Sequence, residues 1–335
     1  MSLRAAKKFY GILIFVLCIV MLGLPCLAIE PGAKPPSIIA KPSDDDAVFR
    51  VLISKTGEVC EISRREYLFG TVASEMGADA PLEALKAQAV ACYTYALYRQ
   101  KENVGQAYDI TDSPNTDQKF TSRAELMEKW GANGEKYANI ITQAVEETLD
   151  YVITDESNEP ILAAYHAVSS GKTESAEVVW GKNYPYLQAV ESIGDLLSPD
   201  YLSVRNFTEA ELAEKLSKYV KLTGEAAKWI GDAEYSASGT VISYKFGGTA
   251  VSGADIRDAL GLRSAAFDVS YKDGEFTFNV KGYGHGVGMS QYGARYLAST
   301  GANFVEILSH YYTGCKMKKV AEGRHSVRKL SPLFI

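Results

Sequence analysis

The alternation of apolar and polar positions predicts that an ordered body begins near residue 47. Phe49, Val51 and Ile53 face one side of a predicted strand, and a turn at 55–57 leads to a return strand over 59–62. The same pattern predicts a second hairpin over 267–281. Two strands, over 151–154 and 161–168, are expected around a turn at 155–158, and a further strand is expected over 241–246.

Apolar residues at spacings of three and four predict helices between these strands. Ser63 and Glu66 form a capping-box pattern that opens the first helix, which we expect to end near Gly77. Pro81 opens a second helix that runs to about Gln100. We predict further helices over 134–149, 208–222 and 252–261, and from about residues 290 and 303.

Helices and hairpins are mixed along the chain without a regular strand–helix alternation, so a parallel doubly wound sheet is disfavoured. The predicted fold class is α+β, with helices and short antiparallel hairpins around a groove. Residues 47–335 would form this body.

The N-terminus is predicted to be a membrane segment. Arg4, Lys7 and Lys8 precede an uncharged apolar run from Gly11 to about Ile29. This length lies between a signal-peptide core and a spanning helix, so residues 1–29 are a signal anchor or a cleaved signal peptide. We favour a single anchor with the body on the extracytoplasmic side. Residues 30–46, rich in proline and aspartate, read as an extended tether.

Charge and ligand spacing exclude several classes of protein. The formal net charge of −6 leaves no basic excess for binding nucleic acid. The four histidines form no close pair, so we predict no metal site and no cofactor. A Cys92–His285 nucleophile pair is disfavoured, because Cys92 lies on a buried helical stripe where a thiol is hard to ionise.

Glu75 is the candidate for chemistry. It shares the apolar face of Leu68 and Val72 and lies at a helix C-terminus, and both conditions raise a carboxyl pKa. A raised pKa keeps the proton available to a leaving group at neutral pH. The alternative is an ordinary glutamate that reaches solvent or pairs with Arg64 or Lys86.

Two further segments are candidates for a binding wall. His285 lies in a loop with four glycines in seven residues, 282–288, which leads into a helix at Ser290 and Gln291. This loop either lets a ligand approach closely or is a tight turn with His285 bonded to backbone. His166 precedes Ser169 and Ser170 at a strand end, which suits a polar wall or simply a loop start.

Three sequence blocks resemble the stage II sporulation protein D family. They are Val72-Ala-Ser-Glu75-Met with 83–90, Tyr165-His166 through Trp180-Gly181, and His285-Gly-Val-Gly-Met-Ser290-Gln291-Tyr-Gly-Ala. They keep the family's order, and the resemblance spans about residues 47–320 together with the anchor.

The resemblance implies a lytic transglycosylase of peptidoglycan, with Glu75 as the catalytic residue. The substrate would be glycan strands whose stem peptides an amidase has removed during engulfment, and the partners that amidase and membrane scaffold proteins. The enzyme would face the septum from the mother-cell membrane. We expect the substrate to contact the following residues: Gln88, His166, Ser169, Ser170, His285, Ser290 and Gln291.

Two points stay open within the resemblance. One branch of the family binds zinc through Cys and His, but the corresponding stretch 112–119 has neither, so no zinc is predicted. Related proteins are enhancers of cell-wall amidases, so a non-enzymatic protein that binds glycan or an amidase is the rival function.

Overall fold

The computed structural model describes residues 47–319, which belong to one compact unit. The predicted anchor (1–29) and tether (30–46) lie outside the described residues, as does 320–335. No helix within 47–319 is long and apolar enough to cross a membrane.

The described residues form a mixed α+β fold, as predicted. The helices, in chain order, are α1 (Arg64–Glu75), α2 (Leu82–Glu102), α3 (Arg123–Trp130), α4 (Gly134–Thr148), α5 (Ala176–Trp180), α6 (Glu209–Lys215), α7 (Gly253–Leu260), α8 (Gln291–Ser299) and α9 (Phe304–Tyr311). The strands are β1 (Val48–Ile53), β2 (Glu58–Ser63), β3 (Ile110–Thr111), β4 (Tyr151–Thr154), β5 (Tyr165–His166), β6 (Leu202–Thr208), β7 (Ile230–Tyr235), β8 (Val241–Phe246), β9 (Thr249–Ser252), β10 (Phe267–Lys272), β11 (Glu275–Lys281), β12 (Met289–Ser290) and β13 (Lys316–Lys319).

Helix α2 is the centre of the helical layer. It packs against α1, α4, α8 and α9, and its small buried residues allow these close approaches. Helix α1 follows directly from the β1–β2 hairpin, and the Ser63 hydroxyl accepts a hydrogen bond from the Glu66 amide at 3.3 Å. The Glu66 carboxylate binds Arg123 instead of closing the predicted capping box, which ties α1 to α3.

Residues 202–281 form a second layer, which we call the β-rich lobe. It contains two three-stranded antiparallel sheets, β10–β11–β6 and β7–β8–β9, with α6 and α7 packed on them. Phe246, Phe276 and Phe278 are fully buried at the centre of its own hydrophobic cluster. The β10–β11 hairpin and the β8 strand were predicted, whereas β6, β7 and β9 were not.

Two elements differ from the sequence prediction. Residues 161–168 do not form one strand, because only Tyr165–His166 pairs, in parallel, with β12, and Val168 makes an isolated bridge to Tyr283 of the glycine loop. The helix predicted over 208–222 ends at Lys215. The chain turns there, so that Leu216, Val220 and Leu222 reach the core of the β-rich lobe.

The glycine loop 282–288 packs on the protein's own backbone. Gly282, Gly284, Gly286 and Gly288 all have positive φ. A Cβ on Gly288 would stand 2.0 Å from the Ala164 carbonyl oxygen, and one on Gly284 would stand 2.9 Å from the His166 Cβ. The loop therefore forms the tight turn that was one of the two alternatives, and it packs closely against segment 164–174.

We predict that Gly288→Ala destabilises the protein far more than Gly261→Ala. Both glycines have positive φ, but a Cβ on Gly261 meets nothing within 4 Å, so backbone strain costs that variant only about 1–2 kcal/mol of stability. Gly288→Ala must also displace the Ala164 backbone. Urea unfolding of the two variants measures this, and equal losses would contradict the packing described.

Candidate active site

Glu75 is the last residue of α1 and stands between two cavities. One, of about 610 Å³, is also lined by Pro199, Gln291 and Tyr292. The other, of about 410 Å³, is lined by Lys129, Trp130 and Tyr137. Because both cavities share Glu75, Met76 and Asp79, we treat them as two arms of one groove.

Burial raises the pKa of the Glu75 carboxyl above its ordinary value. Oxygen Oε1 accepts a hydrogen bond from the Lys119 amide at 2.6 Å. That bond, the Lys119 charge and interactions with the Tyr165 and Gln291 side chains lower the pKa, but desolvation outweighs them. The predicted direction of the shift is therefore what the structure shows.

Glu75 does not form the alternative ion pair with Arg64 or Lys86. Lys86 binds Glu83 at 2.7 Å and Glu147 at 2.5 Å. Arg64 lies 3.8 Å from Asp150. Glu75 instead sits half-buried, with a backbone amide as its hydrogen-bond donor at 2.6 Å.

A buried polar network lies behind Glu75. The Tyr165 hydroxyl donates to Gln118 Oε1 at 2.9 Å and stands 3.7 Å from the Cys92 sulfur. Gln88 donates to that sulfur at 3.2 Å and accepts from the Gln291 amide at 3.3 Å. Gln88 is fully buried, so it can act on a substrate only through Gln291.

The other carboxylates of the larger arm are paired. Asp79 accepts from Arg295 at 2.5 Å. Asp200 accepts from Arg263 at 2.8 Å. Glu75 is thus distinguished from them by its hydrogen bond to a backbone amide and by the effect of burial on its pKa.

The His166 and His285 rings are neighbours, with centroids 5.7 Å apart and planes tilted by 58°, and both are neutral at pH 7. Burial lowers the pKa of His166 to about 4 and that of His285 to about 3. His166 Nδ1 binds the Val287 carbonyl at 3.1 Å, and His285 Nδ1 accepts from the Val287 amide at 3.0 Å. Neither ring lines the groove.

Two of the three predicted serines, Ser169 and Ser290, belong to a structural cluster around Asp195. The Ser169 amide and the Ser290 hydroxyl each donate to its carboxylate at 2.8 Å. Ser290 also caps α8 by accepting from the Gly293 amide at 3.2 Å. Ser170 donates to the Ser238 carbonyl at 2.8 Å. Burial raises the pKa of Asp195, and these donors oppose the rise.

Of the seven residues predicted to contact substrate, the structure places Gln291 beside Glu75 in the groove. Ser169, Ser170 and His285 line a different cavity. The remaining three side chains, Gln88, His166 and Ser290, are buried, and direct contact with a substrate requires exposure that they lack.

Residues missed by the sequence reasoning complete the site. Gln118 and Lys119 come from the stretch 112–119, which was considered only as a possible zinc-binding segment. Tyr165 lies within the second family block but was given no role. Trp130, Tyr137 and Arg295 line the groove from α3, α4 and α8 without a local pattern that reveals it.

No group of three or more His, Cys, Asp or Glu side chains placed to hold a metal occurs within residues 47–319. The groove side chains named above offer hydrogen bonds, aromatic rings and charges, which are the groups that hold polar polymers.

Glu75 is thus a half-buried carboxyl group in an open groove whose walls include aromatic side chains. A family model described as "Stage II sporulation protein" matches residues 53–154, which include Glu75, Gln118 and Lys119. Comparison with whole proteins extends the likeness over most of the chain.

The chain is 35% identical to stage II sporulation protein D of Bacillus amyloliquefaciens over 322 residues, which cover 89% of this chain and 92% of that protein. It is 34% identical to stage II sporulation protein D of Bacillus subtilis (strain 168), over 93% of this chain and 96% of the relative. An amidase enhancer of the same organism is 28% identical over 74% of this chain and 39% of its own length. The chain therefore belongs to the stage II sporulation protein D family, as its sequence blocks predicted.

We predict that Glu75→Gln gains stability relative to the parent as the pH rises. Because burial raises the pKa of Glu75 in the folded state, the folded protein keeps this proton to higher pH than the unfolded chain. Ionisation of Glu75 therefore lowers the free energy of unfolding above its ordinary pKa, whereas glutamine has no charge to desolvate. Thermal unfolding at about pH 4 and about pH 7 measures the difference.

Glu102→Gln is the matched control, because it removes the same charge from the exposed end of α2. A stability difference between Glu75→Gln and the parent that stays constant or shrinks with pH would contradict a desolvated carboxylate.

Proposed function

We propose that this protein is a peptidoglycan lytic transglycosylase that cleaves the MurNAc–GlcNAc bonds of peptide-free glycan strands. The observation that supports it most strongly is Glu75, half-buried in an open groove, with a pKa raised by burial. Its family relatives are sporulation proteins by name, which supports a role in engulfment.

Glu75 acts first as an acid and then as a base. The protonated carboxyl gives its proton to the glycosidic oxygen as the C1–O bond breaks, and GlcNAc leaves with a new hydroxyl. The 6-hydroxyl of the same MurNAc attacks the oxocarbenium-like C1, and the Glu75 carboxylate takes the hydroxyl proton. The product is 1,6-anhydro-MurNAc, no water is consumed, and Glu75 is protonated again.

One carboxyl group suffices for this route because the nucleophile belongs to the substrate. Hydrolases that use water or a covalent intermediate need a second free carboxylate. In the groove Asp79 and Asp200 are each held by an arginine, at 2.5 Å and 2.8 Å respectively. This pairing favours the internal nucleophile.

The groups around Glu75 fit both halves of the cycle. The Lys119 amide and the Gln291 side chain stabilise the carboxylate that forms when the proton leaves. Desolvation favours the protonated form to which the residue must return. The two effects together keep the pKa of Glu75 above its ordinary value, yet they leave both the protonated and the ionised form accessible. A group that first donates and then accepts a proton requires both forms.

We also propose a cellular setting, which the family resemblance supports. The body would lie outside the mother-cell membrane, held by the N-terminal anchor and facing the septum. An amidase that removes stem peptides would supply the substrate, and membrane scaffold proteins would hold both enzymes together.

The second candidate function is that of a non-enzymatic modulator of an amidase. It is favoured by the 28% identity to the amidase enhancer of Bacillus subtilis, which the chain matches over 39% of that protein's length. In this case the groove would bind glycan, or the amidase itself, without cutting.

We predict that Glu75→Gln loses cleavage of peptide-free glycan by about 100-fold to 10,000-fold, the usual contribution of a general acid–base group. Glutamine keeps the oxygen that accepts the Lys119 amide but cannot give up or recover a proton. Glu102→Gln, at an exposed helix end, is expected to cut like the parent.

Mass analysis of the digested strands separates the functions. Anhydro ends are the expected product, reducing ends would indicate a hydrolase, and intact strands with the parent protein would favour the modulator. Near-parental cleavage by Glu75→Gln would remove Glu75 from the mechanism.

A further inference from the structure

A cavity of about 210 Å³, separate from the Glu75 groove, lies where the β-rich lobe meets segment 168–174 and the glycine loop. We call it the seam cavity. Val241 and Arg257 line it from the lobe, and Val168 and His285 line it from the other side. Val168 also lines the larger arm of the groove, so one residue separates the two spaces.

Arg257 of α7 is the unusual feature of the seam cavity. The Nε atom of Arg257 is buried and has no hydrogen-bond partner within residues 47–319. A buried guanidinium N–H without a partner costs free energy, because it has lost water and gained nothing in return. An acceptor brought by a ligand would remove that cost.

The acids nearest to the cavity are engaged elsewhere. Glu174 accepts from the Ser175 amide at 2.9 Å and from the Ser236 hydroxyl at 2.5 Å. Asp255 accepts from the Ser252 hydroxyl at 2.6 Å. These contacts hold both carboxylates within the fold, and neither carboxylate is hydrogen-bonded to the Arg257 Nε.

His285 is present in the cavity as a neutral ring. Its Nδ1 accepts from the Val287 amide at 3.0 Å, and a hydrogen bond to the Tyr165 backbone favours its protonated form. Burial, with smaller electrostatic contributions from His166 and Arg257, outweighs that bond and lowers its pKa to about 3. The His285 ring is therefore an uncharged part of the cavity wall, and the positive charge next to it is that of Arg257.

The walls decide between kinds of anion. Val168, Val179, Val241 and Ala266 make much of the lining apolar. The planar guanidinium matches a carboxylate with two parallel hydrogen bonds. Lys172, Lys281 and Glu174 also line the cavity, so the preference for a monocarboxylate over phosphate rests on the apolar walls.

We propose that the seam cavity binds a small monocarboxylate with an alkyl group, its carboxylate on Arg257 and its alkyl group on the valine walls. In the cell wall this chemistry occurs in the lactyl group of muramic acid and in the terminal alanine of a stem peptide. The site does not require Glu75 to be catalytic.

The test measures binding to the full-length Glu75→Gln protein, so that no bond can be cut. The probes are N-acetylmuramic acid, D-alanyl-D-alanine, N-acetylglucosamine, which lacks the lactyl group, and inorganic phosphate. The ¹⁵N–¹H signal of the Arg257 Nε reports the new hydrogen bond, and its loss in Arg257→Lys assigns it.

We expect one of the two carboxylates to shift that signal in a saturable way, and the responding probe identifies the source. Arg257→Gln should weaken its binding at least tenfold, since a charged hydrogen bond contributes about 1.5–3 kcal/mol. Arg205→Gln, at an exposed position on β6, should bind like the parent.

No saturable shift with either carboxylate would overturn the proposal. Equal binding by N-acetylglucosamine, or tighter binding by phosphate, would do the same. Because the readout is binding by a protein without Glu75, it stays independent of whether the parent cuts glycan.

Discussion

The balance between desolvation and hydrogen bonding at Glu75 is the constraint on which the site depends. The carboxyl is half-buried at the end of α1, yet it receives the Lys119 amide at 2.6 Å. Burial without a donor would leave an acid that never ionises, and full exposure would leave one that is never protonated at neutral pH. Glu75 lies between these limits, and its pKa is raised because desolvation outweighs the hydrogen bonds.

Elements that are distant in sequence position the groups around Glu75. Helix α2 carries Gln88 and Cys92, whose hydrogen bonds reach Gln291 and Tyr165. The glycine loop packs against segment 164–174 so closely that a Cβ at Gly288 would meet the Ala164 carbonyl. Packing of the helical layer therefore holds the polar network behind Glu75 in position.

The sequence was sufficient for features that depend on local spacing. The hairpins, the caps at Thr208 and Asn303 and the placement of Glu75 on an apolar helical face all follow from nearby residues, and the structure has them. It was insufficient where contacts join distant segments. The Lys119 amide is 44 residues from Glu75, and Gln88, although next to the site, is hidden behind Gln291. The family blocks marked His166, Ser169 and Ser290, but the structure uses them for packing and for binding Asp195.

The most direct test of this account is a titration of the Glu75 side-chain carboxyl carbon by NMR, assigned by its loss in Glu75→Gln. The account predicts a pKa clearly above the ordinary glutamate value of about 4.3. A pKa at or below that value would show that Lys119 and its neighbours outweigh desolvation. Glu75 would then be a permanent carboxylate, with no proton to give to a glycosidic oxygen.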